Sequence, residues 1–164
     1  MNIELITYRD EFAADFARLN YEWIERYFSV EEEDVKTLSD PVAHIIEPGG
    51  EIFFILADGK AVGTVAMTPH EPGVFELAKM AVQAEFQGQR LSHRLMQACI
   101  DFAVQRGASQ IMLVTNDSLA AALGLYDSVG FEPVAGYRDA RYARGNLEMR
   151  LHLEQPCSEC SQGA

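Results

Sequence analysis

Two stretches of the chain combine residue type and spacing in a way that could do chemistry. The first holds Glu76, in the run VFELAKMAV. Strand alternation would put Glu76 on one face with Ala78, Met80 and Val82, an otherwise apolar set. A carboxylate there is costly unless it is paired, protonated or used as an acid or base. The plain alternative is a strand-end glutamate that faces solvent or an arginine. The second stretch is the connector Gln87, Gly88, Gln89, Arg90, Leu91, Ser92. It is polar, contains a glycine, and opens a helix whose apolar stripe is Leu91, Leu95, Cys99 and Phe102. A helix preceded by an open, donor-rich turn can hold an anion, since its first N–H groups lack carbonyl partners and its dipole is positive there.

These residues need elements to position them. NIELITY reads as a first strand, and from Asp10 the apolar positions Phe12, Phe16, Leu19, Trp23 and Tyr27 recur at helical spacing. Ser29 stands three residues before Glu32, the capping-box arrangement that starts another helix. Asp40 and Pro41 read as the cap and first position of a short third helix, which EPGG ends. EIFFILA is a continuous apolar run, DGK a hairpin turn and AVGTVAMT its return strand. TPHEPG reads as a turn carrying His70, and GVFELAKMAV as a further long strand. After the connector and its helix, SQIMLVT is a strand, and Asn116 or Ser118 caps a helix that ends at Gly130. FEPVAGY and NLEMRLHLE read as the last two strands, separated by RDARYARG. The order predicts an α/β fold of mixed α+β type, with a mixed sheet and helices on both faces. The two strands flanking the connector helix are expected to run parallel.

The chain of 164 residues, 48% of them hydrophobic, suits one domain over residues 1–154, with a polar and disordered tail expected at 155–164. Thirteen Lys and Arg against 25 Asp and Glu leave a formal charge of −12, which repels nucleic acid and anionic membranes and attracts cationic partners. Solubility alone would also account for it. No apolar run is long enough to span a membrane, and MNIELITYRDEF lacks the pattern of a signal peptide. Cys99 lies on a core stripe. Cys157 and Cys160 form one CSEC pair without the second pair a zinc site would want, so no metal is expected. These features favour the cytoplasm. The EEED run at 31–34 reads as a solvated helix face.

The strand ending KMAV, the loop FQGQRLS opening a helix, the next strand and a helix carrying LYDSVGF resemble the GNAT superfamily of N-acetyltransferases over residues 3–153. That family's first motif reads Gln or Arg, two residues, Gly, one residue, then Gly or Ala. Gln87 fits it, Arg90 stands where glycine is usual, and Ser92 replaces a glycine or alanine. LYDSVGF fits its motif without exception. Leu119 stands where the family often carries an asparagine, with Asn116 one turn earlier.

The resemblance implies a mostly antiparallel, twisted sheet of about seven strands. It also implies acetyl-CoA as co-substrate, with the pyrophosphate over Gln87, Gly88, Gln89, Arg90, Leu91 and Ser92. The pantetheine arm would lie along Met80, Ala81 and Val82, with a further contact at Asn116. Tyr126 would be the general acid to the CoA thiolate, and Glu76 or a water the base. The N–H of Val82 would meet the oxyanion. Tyr126 also fits a core stripe with Leu119 and Leu123. The implied activity is acetyl transfer to a primary amine of a small molecule or an exposed amino group, with a cationic acceptor favoured by the charge. Tyr21, Trp23 and Tyr27 would wall the acceptor site, the EEED run at 31–34 would give it an acidic mouth if it is more than a solvated face, and a sheet edge could support a homodimer. The departures at Arg90 and Ser92 leave open a second reading, a CoA- or effector-binding module without catalysis.

Overall fold

The apolar run EIFFILA becomes the second strand of one seven-stranded sheet in a computed structural model that describes residues 1–134 and 144–154. Its strands are β1 (Ile3–Thr7), β2 (Glu51–Ala57), β3 (Lys60–Glu71), β4 (Val74–Val82), β5 (Gln110–Thr115), β6 (Glu132–Val134) and β7 (Leu147–His152). They stand in the order β1-β2-β3-β4-β5-β7-β6. Only β4 and β5 run parallel, as the strand–helix–strand pattern predicts, and every other neighbouring pair is antiparallel.

Alternation along β2 builds two cores. Phe53 and Ile55 pack with Leu95, Met96 and Cys99 of α3 (Leu91–Gln105). Ile52, Phe54 and Leu56 pack with Phe16, Leu19 and Ile24 of α1 (Ala13–Tyr27). A fully buried side chain of this size stabilises by roughly 2 kcal/mol, so a central strand buried on both faces anchors helices on both sides. Asp58 and Gly59, at φ 52° and 84°, make the tight turn from β2 to β3.

Several local expectations need correction. α2 (Glu32–Ser39) is capped by Glu31 and Asp34, not by Ser29 and Glu32. Asp34 Oδ2 accepts from the Glu31 N–H at 2.9 Å, and a glutamate at this position makes the same reciprocal bonds as a serine. Asp40 does cap the next helical turn, accepting from the Ala43 N–H at 3.2 Å, but that turn, over Val42–Ile46, is π-helical. His70 lies in β3, which continues to Glu71 and leaves only Pro72 and Gly73 for the turn. α4 (Ala120–Val129) has no side-chain cap. Asn116 bonds the Ser118 N–H instead, and the helix ends at Gly130 as expected. Tyr27 leaves the core stripe of α1 and stands 46% exposed, whereas Trp23 is half-buried and packs against the α1-side core. Residues 135–137 of the expected penultimate strand, most of RDARYARG, and the tail with Cys157 and Cys160 lie outside the described residues. Among the described residues no helix is long and apolar enough to cross a membrane.

Candidate active site

β4 belongs to two strand pairs but shares only its first residues with β5. Val74, Phe75 and Glu76 pair with Gln110, Ile111 and Met112, while the pairing with β3 continues to Val82. Beyond Glu76 the two parallel strands part. Among the described residues no neighbouring strand pairs with the β5-facing edge of β4 beyond Glu76.

A bulge shapes the β4 bank of this gap. Ala78 pairs with Ala66 and Ala81 with Thr64, so Lys79 and Met80 together face Val65 alone. Lys79 takes the left-handed conformation, φ 57°. The extra residue reverses the side-chain parity. Leu77 and Val82 pack in the α3-side core, whereas Ala81 packs on the α1 side. Glu76 therefore does not share a face with Val82, as simple alternation predicts. It is 8% exposed and points to the α1 side of the sheet. The Gln83 N–H donates to Val62 O at 2.8 Å, so antiparallel alternation turns the N–H of Val82 away from β3, toward the gap.

Two lobes of one cleft meet there, with Tyr126, Met80 and Trp23 lining both. One lobe, about 570 Å³, is walled by Gly88, Arg90, Leu91 and Ser92 and by the start of α4. The other, about 410 Å³, is lined by Glu76, Glu33, His44, His70, Asn116 and Arg144, among others.

The connector lines the first lobe. Gln87 is spent on structure: its N–H donates to Ala84 O, and its side-chain Nε2 donates to Val82 O at 3.1 Å, folding the loop onto the end of β4. From residue 88 to residue 93, no backbone carbonyl among the described residues accepts the N–H groups. The first such bond is Arg94 N–H to Arg90 O. Gly88 sits at φ 81° with open space where a Cβ would be. Arg90, the residue before α3, is also left-handed at φ 62°. A backbone that needs this conformation explains why glycine would be the natural residue at 90.

Tyr126 is 9% exposed, and its ring meets Phe131 edge-on at 5.8 Å. Burial pushes its phenol up from 10.0 to about 12, so the group is protonated at neutral pH. Asn116 lies in the second lobe and not the first. Its Nδ2 donates to Arg144 O at 2.9 Å. Trp23, Tyr27 and Phe28 form an aromatic lip, with ring centroids 5.3 and 6.0 Å from Trp23. All three line the first lobe, and Trp23 and Phe28 the second as well.

Sequence reasoning missed a buried ion cluster beside the second lobe. Asp34, read as part of a solvated run, is fully buried. Its Oδ1 lies 2.6 Å from Lys79 Nζ and 2.6 Å from Arg144 Nη2, and its Oδ2 2.8 Å from Arg144 Nη1, which also reaches Glu31 at 3.0 Å. Burial alone would raise the Asp34 carboxyl, but the bonds from Arg144 and Lys79 outweigh it and hold the group at about 2. Burial lowers the Lys79 ammonium, against the opposing pull of Asp34. The signal in the chain is Lys79, which with Glu76 interrupts an otherwise apolar strand run.

Comparison with known proteins fits this geometry. The acetyltransferase (GNAT) family model matches residues 13–131. N-acetylaspartate synthetase of Homo sapiens is 33% identical over 96 residues, which are 57% of this chain and 32% of that protein. The chain thus spans about a third of the length of that curated relative. Among solved structures, a GNAT-family acetyltransferase of Staphylococcus aureus superposes with a TM-score of 0.84 at 17% identity, covering 93% of this chain and all of the other. The PaiA N-acetyltransferase of Thermoplasma acidophilum, solved with coenzyme A, gives 0.73 at 14% identity, covering 93% and 99%.

Proposed function

Because the chain belongs to the acetyltransferase (GNAT) family, we propose that it transfers an acetyl group from acetyl-CoA to a primary amine in the cleft between β4 and β5. The observation that carries this reading is the junction of two unlike lobes at Tyr126 and Met80. One is edged by N–H groups that no backbone carbonyl among the described residues accepts, and the other holds a carboxylate.

The chain's groups suit an acetyl-CoA molecule laid through that junction. The N–H groups from residue 88 to residue 93 and the positive end of α3 would receive the pyrophosphate, with Arg90 beside it as a cation. Met80, Ala81 and Val82 would pair their open backbone with the amides of the pantetheine arm. Acetyl-CoA supplies the acetyl group as a thioester.

An alkylamine with a reference pKa of about 10.4 arrives protonated at neutral pH and must lose that proton before its nitrogen can form the new C–N bond. Glu76, at the apex of the split, accepts it directly or through a water. The N–H of Val82 donates to the carbonyl oxygen as negative charge develops on it. As the C–S bond breaks, Tyr126 donates to the departing sulfur. A phenol near 12 is a weaker acid than a thiol near 8.5 in water. Tyr126 therefore acts chiefly as a hydrogen-bond donor to the thiolate, and the same desolvation that raises the phenol raises the thiol.

The acceptor fits the second lobe, where Glu33 and Glu76 favour a cationic amine and Trp23 and Phe28 offer aromatic faces. The test is release of CoA thiol with a panel of amines that runs from diamines to amino acids, aspartate included. Turnover with an amine supports the reading. Thermal stabilisation by acetyl-CoA without thiol release from any acceptor would favour a binding module.

A further inference from the structure

The gap between β4 and β5 has two banks, and one buried carboxylate holds both. On the β4 bank, Lys79 sits in a left-handed conformation inside a strand, at φ 57°. That conformation is strained for a residue with a Cβ and persists only where the surroundings over-determine it. Its side chain, 7% exposed, ends on Asp34 at 2.6 Å. On the opposite bank, Arg144 is tied to the end of β5. Its carbonyl accepts from Asn116, and two residues on, the Asn146 N–H donates to Thr115 O at 3.1 Å. Its guanidinium grips the same Asp34 through both Nη atoms. We propose that Asp34 is a positioning residue of the transfer site, clamping Lys79 on one bank and Arg144 on the other and so setting the width of the gap in which the thioester lies.

The inference rests on the acetyl-transfer reading for its consequence but not for its geometry. A cluster of this kind is a poor device for stability alone, because the desolvation of its charges offsets most of their attraction and an apolar replacement is often as stable. What an apolar core would not supply is a fixed distance between two particular backbone positions. Lys79 adjoins Met80, which lines both lobes, and Arg144 lines the acceptor lobe. A change at Asp34 therefore reaches both substrates without touching either.

The experiment compares the full-length chain with Lys79→Met, which fills similar volume and leaves the Asp34–Arg144 pair intact, and with Asp34→Glu, which keeps the charge balance but adds one methylene. The control is Arg150→Met, which removes ion pairs with Glu71 and Glu148 at the end where β4 and β5 are still paired. Amide exchange of Ala81 and Gln83, whose N–H groups face β3, is read without ligand, and KM and kcat with it. Folding is checked by cooperative thermal unfolding. In Lys79→Met, exchange at these two amides accelerates at least tenfold and KM for acetyl-CoA rises at least tenfold, while Arg150→Met moves neither. Exchange and KM within twofold of the parent in a folded Lys79→Met overturn the clamp. Should that variant not fold, Asp34→Glu decides by the same criteria. If the parent itself turns over no acetyl-CoA, the activity reading fails, and the exchange rates still decide the clamp.

Discussion

Glu76 and Tyr126 line one cavity from opposite sides of the split sheet. Glu76 is the last β4 residue paired with β5, and Tyr126 stands on α4 where the donor and acceptor lobes join. A group that takes a proton from the amine and a group that faces the departing sulfur would need this separation of roles, and each role can be tested alone.

Tyr126→Phe removes only a hydroxyl and keeps the ring on Phe131. Thermal stability and acetyl-CoA affinity are expected to stay near those of the parent, while kcat falls about a hundredfold. Thiol-release kinetics beside calorimetric binding check this. An unchanged kcat removes Tyr126 from the chemistry.

Glu76→Gln keeps shape and loses the proton acceptor. The expected result is a fall of about a hundredfold in kcat/KM at pH 7. The deficit narrows above pH 9, where more of the amine arrives already neutral. A deficit independent of pH would place Glu76 in acceptor binding.

Arg90 holds a backbone conformation that glycine adopts freely. Arg90→Gly should therefore be more stable than Arg90→Ala by about 1 kcal/mol, the reverse of the order in a helix interior. Urea unfolding of the two variants measures it. Both lose a cation beside the proposed pyrophosphate site, so acetyl-CoA should bind them more weakly, with less dependence on salt.

The Asp34 cluster predicts an acid-labile fold. Lys79 and Arg144 bond the carboxylate, Glu31 shares Arg144, and together they hold Asp34 near 2 against an ordinary 3.8. A folded-state value below the unfolded one gives stability that is complete above about pH 4 and lost as the pH falls toward 2, on the order of 2 kcal/mol. Urea midpoints between pH 5 and pH 2 should fall more steeply for the parent than for Lys79→Met. Parallel curves would contradict the assignment.

What can be read from the chain is set by locality. The buried run of β2, the Asp58–Gly59 turn, the stripe of α3 and the Gly130 stop depend on neighbours within a few residues, and each stands as expected. The bulge at Lys79 does not, because alternation cannot reveal where an extra residue enters a strand. Alternation alone therefore sets Val82 on the face of Glu76. Asp34 looks like one more charge in EEED because its partners lie 45 and 110 residues away. Gln87 matches its motif, yet its side chain is occupied with Val82 O. The match foretells the loop and not the use of that side chain.

The most direct test of the account is a crystal structure of the protein with acetyl-CoA. The pyrophosphate is expected on the N–H groups from residue 88 to residue 93 and the thioester in the gap between β4 and β5, with its sulfur in hydrogen-bond range of the Tyr126 hydroxyl. A cofactor bound elsewhere, or one whose thioester lies outside that gap, would contradict it.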